Sequence, residues 1–169
     1  ELIYYGGQEY YRNAYGMPVS KQKVAAEVEI RNSKVNRLGL QLPKGKVRVY
    51  KADASGSQQF IGEDWIDHTA KDERVKIKLG NAFDVVGERT QKDWRKIAGN
   101  LYEVEWEIAL RNHKAEAQTV TVIEPVPGDW QVLSSTHPYE KVEAHTLKYE
   151  ISIPKESSAK LTYRVRLRF

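Results

Sequence analysis

Asp67 and His68, with Glu63 and Asp64 before them and Asp72 and Glu73 after, form the densest group of metal-ligating side chains in the chain. Carboxylate oxygens beside an imidazole suit a hard or borderline cation. Strand alternation divides them, however, placing Glu63, Trp65 and Asp67 on one face and Asp64, Ile66 and His68 on the other. The competing expectation is a charged strand edge that deters pairing with a foreign strand. Asp84, between Phe83 and Val85, would need a partner if it faced inward; Arg89, Arg95 or backbone amides of a turn at Gly80 are the candidates, and the residue serves as a ligand or as a structural cap. Trp65 and Trp130 each follow an aspartate at a turn or strand boundary, where an indole face can stack on a sugar ring or cover the end of a core. The candidate ligand-binding residues are therefore Trp65, Asp67, His68, Asp84 and Trp130.

Other constellations are missing. Cysteine is absent, which removes thiol catalysis, zinc–thiolate sites and disulfides together. Ser134-Ser135-Thr136-His137 offers a hydroxyl and an imidazole but lacks the Gly-x-Ser-x-Gly elbow that exposes a nucleophile, and neither a His-Glu-x-x-His motif nor a glycine-rich phosphate loop occurs. No catalytic residue, metal or cofactor is expected, and no enzymatic activity. Net charge is +4, from 27 basic and 23 acidic residues. Nucleic-acid binding needs basic residues gathered on one face, and Arg164, Arg166 and Arg168 are explained by alternation along a strand, so no nucleic-acid partner is expected. No apolar run reaches the roughly 18 residues of a membrane-spanning helix.

The elements that must position these residues read as strands. Val75, Ile77 and Leu79 alternate with Lys76 and Lys78, Gly80-Asn81 reads as a turn, and Phe83 and Val85 resume the alternation. Val47 and Val49 point inward from 46–51, Asp53-Ala54-Ser55-Gly56 has hairpin chemistry, and Gln59 to Ile66 follows. Glu88 to Asn100 reads as an extended charged connection. Beyond it Tyr102, Val104, Trp106, Ile108 and Leu110 share one face, and Leu147, Tyr149, Ile151 and Ile153 repeat the pattern, as do Leu161, Tyr163, Val165 and Leu167. Many short strands with turn chemistry between them, and no amphipathic helix, predict an all-β antiparallel sandwich. Glu27-Val-Glu-Ile-Arg-Asn32 is echoed by Glu107-Ile-Ala-Leu-Arg-Asn112, each followed by a polar loop and a proline–glycine turn. The echo favours two immunoglobulin-like halves in tandem over one larger sandwich: a leading arm at 1–20, a first half at 21–98 and a second at 99–169. If 102–112 neighbours 160–169, Glu103, Glu105 and Glu107 face Arg164, Arg166 and Arg168. In the arm, Tyr4, Tyr5, Tyr10, Tyr11 and Tyr15 gather around Gly6, Gly7 and Gly16, with Pro18 closing the segment. They form either a platform for sugar or peptide or, the favoured expectation, a cover over the core.

Gly39-Leu-Gln-Leu-Pro-Lys-Gly-Lys-Val-Arg-Val-Tyr50, Phe60-Ile-Gly-Glu-Asp-Trp-Ile-Asp-His68, Leu79-Gly-Asn-Ala-Phe-Asp84 and Glu124-Pro-Val-Pro-Gly-Asp-Trp130, in that order, resemble an uncharacterised bacterial family, the C-terminal domain of unknown function 4139 that is also found in mucoidy-inhibitor-A-like proteins. The resemblance spans most of residues 24–169 and leaves 1–20 unmatched. It implies an exported protein carrying a different N-terminal domain, placed in the periplasm, at the cell surface or outside the cell. It implies no activity and no catalytic residues. Sequence and resemblance together lead to a non-catalytic interaction module that binds another protein, another domain of its own chain or an envelope glycan. The alternatives are an accessory domain of a hydrolase built around Asp67, His68 and Asp84, or glycan binding through the tyrosine arm.

Overall fold

The computed structural model describes residues 1–7, 9–15, 18–53 and 55–169, with backbone alone at 18–20. Gly16 of the leading arm and Ala54 of the Asp53–Gly56 turn lie outside the described residues. The described chain forms β1 (Leu2–Tyr5), β2 (Pro18–Arg31), a 3₁₀ turn (Lys34–Asn36), β3 (Gly45–Ala52), β4 (Gln58–Ile66), β5 (Arg74–Ala98), β6 (Leu101–Asn112), β7 (Gln118–Pro125), β8 (Asp129–Ser135), β9 (Glu140–Glu143), β10 (Thr146–Ile153) and β11 (Ser157–Arg168). The fold is all-β, and no helix among the described residues is long and apolar enough to cross a membrane. Strands β8-β11-β6-β5-β2-β1-β7-β10-β9 form one sheet and β3-β4 another. The large sheet is mixed rather than antiparallel throughout. β1 runs parallel to β7, Leu2 opposite Val120 and Tyr5 opposite Ile123, and lies between β2 and β7 in the strand order.

The chain divides into two compact units, one of Glu1 with residues 25–81 and one of residues 2–24 with 82–169. Residues 2–24 and 82–98, expected with an arm and a first half, thus belong with the second unit. β5 explains part of this. The turn expected at Gly80-Asn81 does not form, and the extended segment expected at 88–100 is the end of the same strand, which stops before a turn at Gly99-Asn100. A single strand runs from Arg74 to Ala98, with Gly80 taking a φ of +132° within it. The buried positions on either side share one parity, Val75, Ile77, Val85, Gly87, Arg89 and Gln91 all being odd-numbered, but Phe83, expected to resume the alternation, is 80% exposed and Ala82 packs on the core instead.

In the second unit Val104, Trp106, Ile108 and Leu110 of β6, Leu161, Tyr163, Val165 and Leu167 of β11, and Leu147, Tyr149, Ile151 and Ile153 of β10 are buried in one cluster. Each contributes about 1.5–3 kcal/mol of burial. The expected charge ladder is present across β6 and β11. Arg164 lies opposite Glu105 and Arg166 opposite Glu103, with N–O distances of 2.9 and 2.6 Å. The register places Glu107 opposite Thr162 and Arg168 opposite Leu101, so the third expected pair is replaced by Lys160 reaching Glu107 at 3.3 Å.

The echoed hexapeptides end in matching ways. Asn32 is buried at the end of β2, donating to Leu40 O and Ala70 O and accepting from Gly39 N. Asn112 is buried at the end of β6, donating to Glu116 O and Pro154 O and accepting from Lys114 N. In each case one amide closes the loops that follow and precede the neighbouring strands, which is the physical content of the repeat.

Candidate functional site

In the first unit the β3–β4 ribbon turns one face to solvent. Antiparallel pairing sets Lys46 opposite Trp65 and Arg48 opposite Glu63. A bulge that leaves Ile61 unpaired then shifts the phase by one residue, so Phe60 joins Tyr50 on the same outward face. Their rings meet edge-on at 5.8 Å. Lys46 and Arg48 hold Glu63 between them at 2.7 and 3.2 Å, and these hydrogen bonds lower the Glu63 carboxyl below its ordinary range. Lys46 also lies 5.8 Å from the Trp65 ring. The outcome is an ordered strip of indole, cation, carboxylate, phenol and phenyl. Trp65 is 70% exposed and Phe60 55%. On β4, Asp64 accepts from Lys78 N of β5 at 2.8 Å, and Gly62 lets the backbone of Leu79 approach where a Cβ would collide with it.

The other candidates from the sequence are less engaged. Asp67 is exposed, its carbonyl accepting from Thr69 Oγ1; His68 is exposed and its Nδ1 accepts from Lys44 N at 3.3 Å. Among the described residues no group of three or more carboxylates and imidazoles is positioned to hold a metal ion. Asp84 belongs to the second unit and faces solvent. Its backbone carbonyl accepts from His113 N, and Arg89 is paired elsewhere. Trp130 packs against the core of the second unit, donating Nε1–H to Ala144 O at 3.0 Å beneath Lys141. Ser135 Oγ donates to His137 O, and Thr136 Oγ1 pairs with His137 Nδ1 at 2.9 Å while accepting from Thr162 N.

The densest polar chemistry lies away from the five candidate ligand-binding residues. In the second unit Arg89 (1% exposed) and Glu124 (0%) form an ion pair at 3.1 Å inside the core. Glu124 Oε2 also accepts from Tyr163 OH at 2.5 Å. Arg89 Nη2 donates to Tyr11 OH at 3.1 Å, and Tyr11 OH lies within reach of Pro125 O and Tyr163 OH. The guanidinium carbon sits 3.4 Å from the centre of the Trp106 ring. Glu124 Oε1 has no hydrogen-bond partner and lies against Gly6, where a Cβ would overlap it. A signal was available: Arg89 is in phase with Val85 on β5, and Glu124 with Val120 and Val122 on β7, so both charges occupy apolar-face positions. Burial works against the Arg89 charge, but Glu124 and the neighbouring phenols outweigh it and hold the guanidinium protonated. All five side chains are buried, and the cluster organises the core.

Comparison with protein families, curated proteins and solved structures finds no match for this chain. Its function is therefore argued from its own side chains.

Burial lifts the Glu124 carboxyl above its ordinary value near 4.5, against the pull of Arg89 and the Tyr163 hydrogen bond. A carboxyl raised on folding favours the folded state most below its unfolded value, and that advantage is lost as pH rises through the folded value. Glu124→Gln removes this titration. The unfolding free energy of the native chain, measured in urea, should fall relative to that of E124Q as pH rises from below 4.5 towards neutrality. A flat difference, or one of opposite sign, would show that the pair outweighs burial.

Proposed function

We propose that the chain is a non-catalytic, immunoglobulin-like interaction module that binds a protein partner through the outward face of its β3–β4 ribbon. The observation that carries this reading is the strip of Trp65, Lys46, Arg48, Glu63, Tyr50 and Phe60. Aromatic residues and arginine are the side chains that dominate protein-interface energetics, and contiguous exposed apolar surface on a folded domain marks contact sites. The salt links of Glu63 fix the cations between the rings, so the surface is ordered before a partner arrives, which lowers the entropy lost on binding. The exported bacterial setting implied by the resemblance would place that partner in the envelope, as another protein or as another domain of the same polypeptide.

A photo-reactive residue placed at Ile61, beside the strip, tests this in intact cells, with one at Glu150 of the second unit as the control position. A single protein should be captured from Ile61 and not from Glu150. The purified captured protein should lose at least tenfold in affinity for Trp65→Ala/Phe60→Ala at unchanged melting temperature, as hot-spot truncation predicts. Affinity unaffected by the double substitution would sink the reading. Binding to a glycan array that disappears with Trp65→Ala would assign the strip to sugar instead.

A further inference from the structure

The β2–β3 loop, residues 32–44, is held rigid and yet shows its aliphatic side chains to water. Ser33 O accepts from Asn36 N and Leu38 N, each at 3.0 Å, and Lys34 O from Arg37 N at 3.0 Å. Asn32 binds Leu40 O and Gly39 N through its side chain at 2.7 and 2.9 Å, and Asn36 Nδ2 returns to Arg31 O at 2.8 Å. Leu42 exchanges both backbone bonds with Thr69. Gly39 sits at a φ of +98°, where a Cβ would strike the backbone of Lys34. A loop pinned this way cannot fold its apolar groups inward, and Val35 is 92% exposed and Leu40 79%. Leu38 joins them and also lines an apolar cleft of about 340 Å³ with Leu42, Pro43 and Val47. The apolar surface is therefore continuous from the loop into the cleft.

Along the loop itself the charge has one sign, while the segment hydrogen-bonded to it carries Asp67, Asp72 and Glu73. Every charged residue between Glu29 and Asp53 is a lysine or arginine. Lys34, Arg37 and Lys44 are exposed, and none of the three takes part in an ion pair among the described residues. We infer that this loop docks the domain onto an anionic lipid bilayer, Val35, Leu38 and Leu40 entering the boundary between headgroups and acyl chains while Lys34, Arg37 and Lys44 meet lipid phosphates. Composition separates this surface from the aromatic strip. Valine and leucine are under-represented among protein-interface hot spots, whereas shallow apolar insertion beside cations is what peripheral membrane binding requires. Neither group suffices alone, so binding is reversible and needs both anionic lipid and the aliphatic side chains.

Co-sedimentation of the whole chain with vesicles decides the matter. Vesicles of phosphatidylcholine with about one-third phosphatidylglycerol should bind at least roughly tenfold more tightly than phosphatidylcholine alone, and salt at about 0.5 M should abolish the difference by screening. Val35→Ser/Leu40→Ser should lose roughly tenfold or more on the anionic vesicles. Lys34→Gln/Arg37→Gln should lose about fivefold per cation there and nothing on neutral vesicles. Thermal midpoints of both variants should match the native chain, and Trp65→Ala should leave vesicle binding unchanged, which keeps this result separate from that of the aromatic strip. Absence of binding to anionic vesicles, or binding indifferent to Val35→Ser/Leu40→Ser, overturns the inference. So does loss of an acidic protein partner by the loop variants without any vesicle binding, which would assign the loop to a protein.

Discussion

Arg89→Met should lower the unfolding free energy by about 3–5 kcal/mol, the range for removing one partner of a buried ion pair. The reason lies in what remains. Glu124 keeps one hydrogen bond, from Tyr163, and already has one oxygen without a partner, so its charge is left in a dry core beside Gly6. Tyr11 loses its guanidinium contact, and Trp106 loses the cation stacked on its ring at 3.4 Å. Methionine roughly fills the volume but supplies no donor. Replacing both partners should hurt less than replacing one, because Arg89→Met/Glu124→Leu removes the stranded charge together with its cause. In urea denaturation the double variant should therefore lie nearer the native chain than Arg89→Met does. A loss below about 1 kcal/mol for the single variant would mean that water reaches Glu124 and that the core is more open than its burial implies.

The strands were legible wherever apolar residues alternate without interruption. Val104 to Leu110 and Leu161 to Leu167 carry large side chains at every second position, and the opposing Glu103, Glu105, Arg164 and Arg166 even set their pairing. Legibility failed where local chemistry and long-range packing disagree. Gly80-Asn81 has the composition of a turn, but the sheet keeps β5 extended through it because both flanks, Ile77 and Val85, are buried on the same parity. The parallel pairing of β1 depends on β7, over a hundred residues away, and no local pattern records it. The buried Arg89–Glu124 pair was hidden for a different reason. A charged residue in strand phase reads as a strand facing water unless its partner is known, and that partner lies on another strand. Of the ligand candidates, Trp65 stands out in the structure because the register supplies Lys46, Arg48 and Tyr50 around it. That grouping needed the pairing of β3 with β4, and the bulge at Ile61, to appear at all.

Tyr11→Ala should cost about 3–5 kcal/mol, as much as emptying a core aromatic site, although Tyr11 belongs to no strand. The segment 9–15 crosses the second unit as a strap, and its fastenings are side chains of β5. Gln91 Nε2 donates to Tyr10 O and Asn13 O at 2.7 and 3.0 Å, Gln91 Oε1 accepts from Tyr15 N, and Trp94 Nε1 donates to Tyr11 O at 3.2 Å. Those bonds lie at the edge of the core, whereas the Tyr11 ring enters it, edge-on to Trp106 at 5.6 Å, with its hydroxyl between Arg89, Tyr163 and Pro125 O. Alanine thus opens a cavity and strands the polar groups that the phenol satisfied, while the strap keeps only its peripheral bonds. Two measurements separate these effects. Tyr11→Phe keeps the ring and removes only the hydroxyl, so its loss should be about 1–3 kcal/mol, the cost of unmet buried hydrogen bonds. Limited proteolysis under native conditions should cut Tyr11→Ala within 9–15 well before the native chain, with Tyr11→Phe resembling the native chain. If Tyr11→Ala unfolds at the same urea concentration as the native chain, the core closes without the strap, and the buried cluster stands on its four strand residues alone.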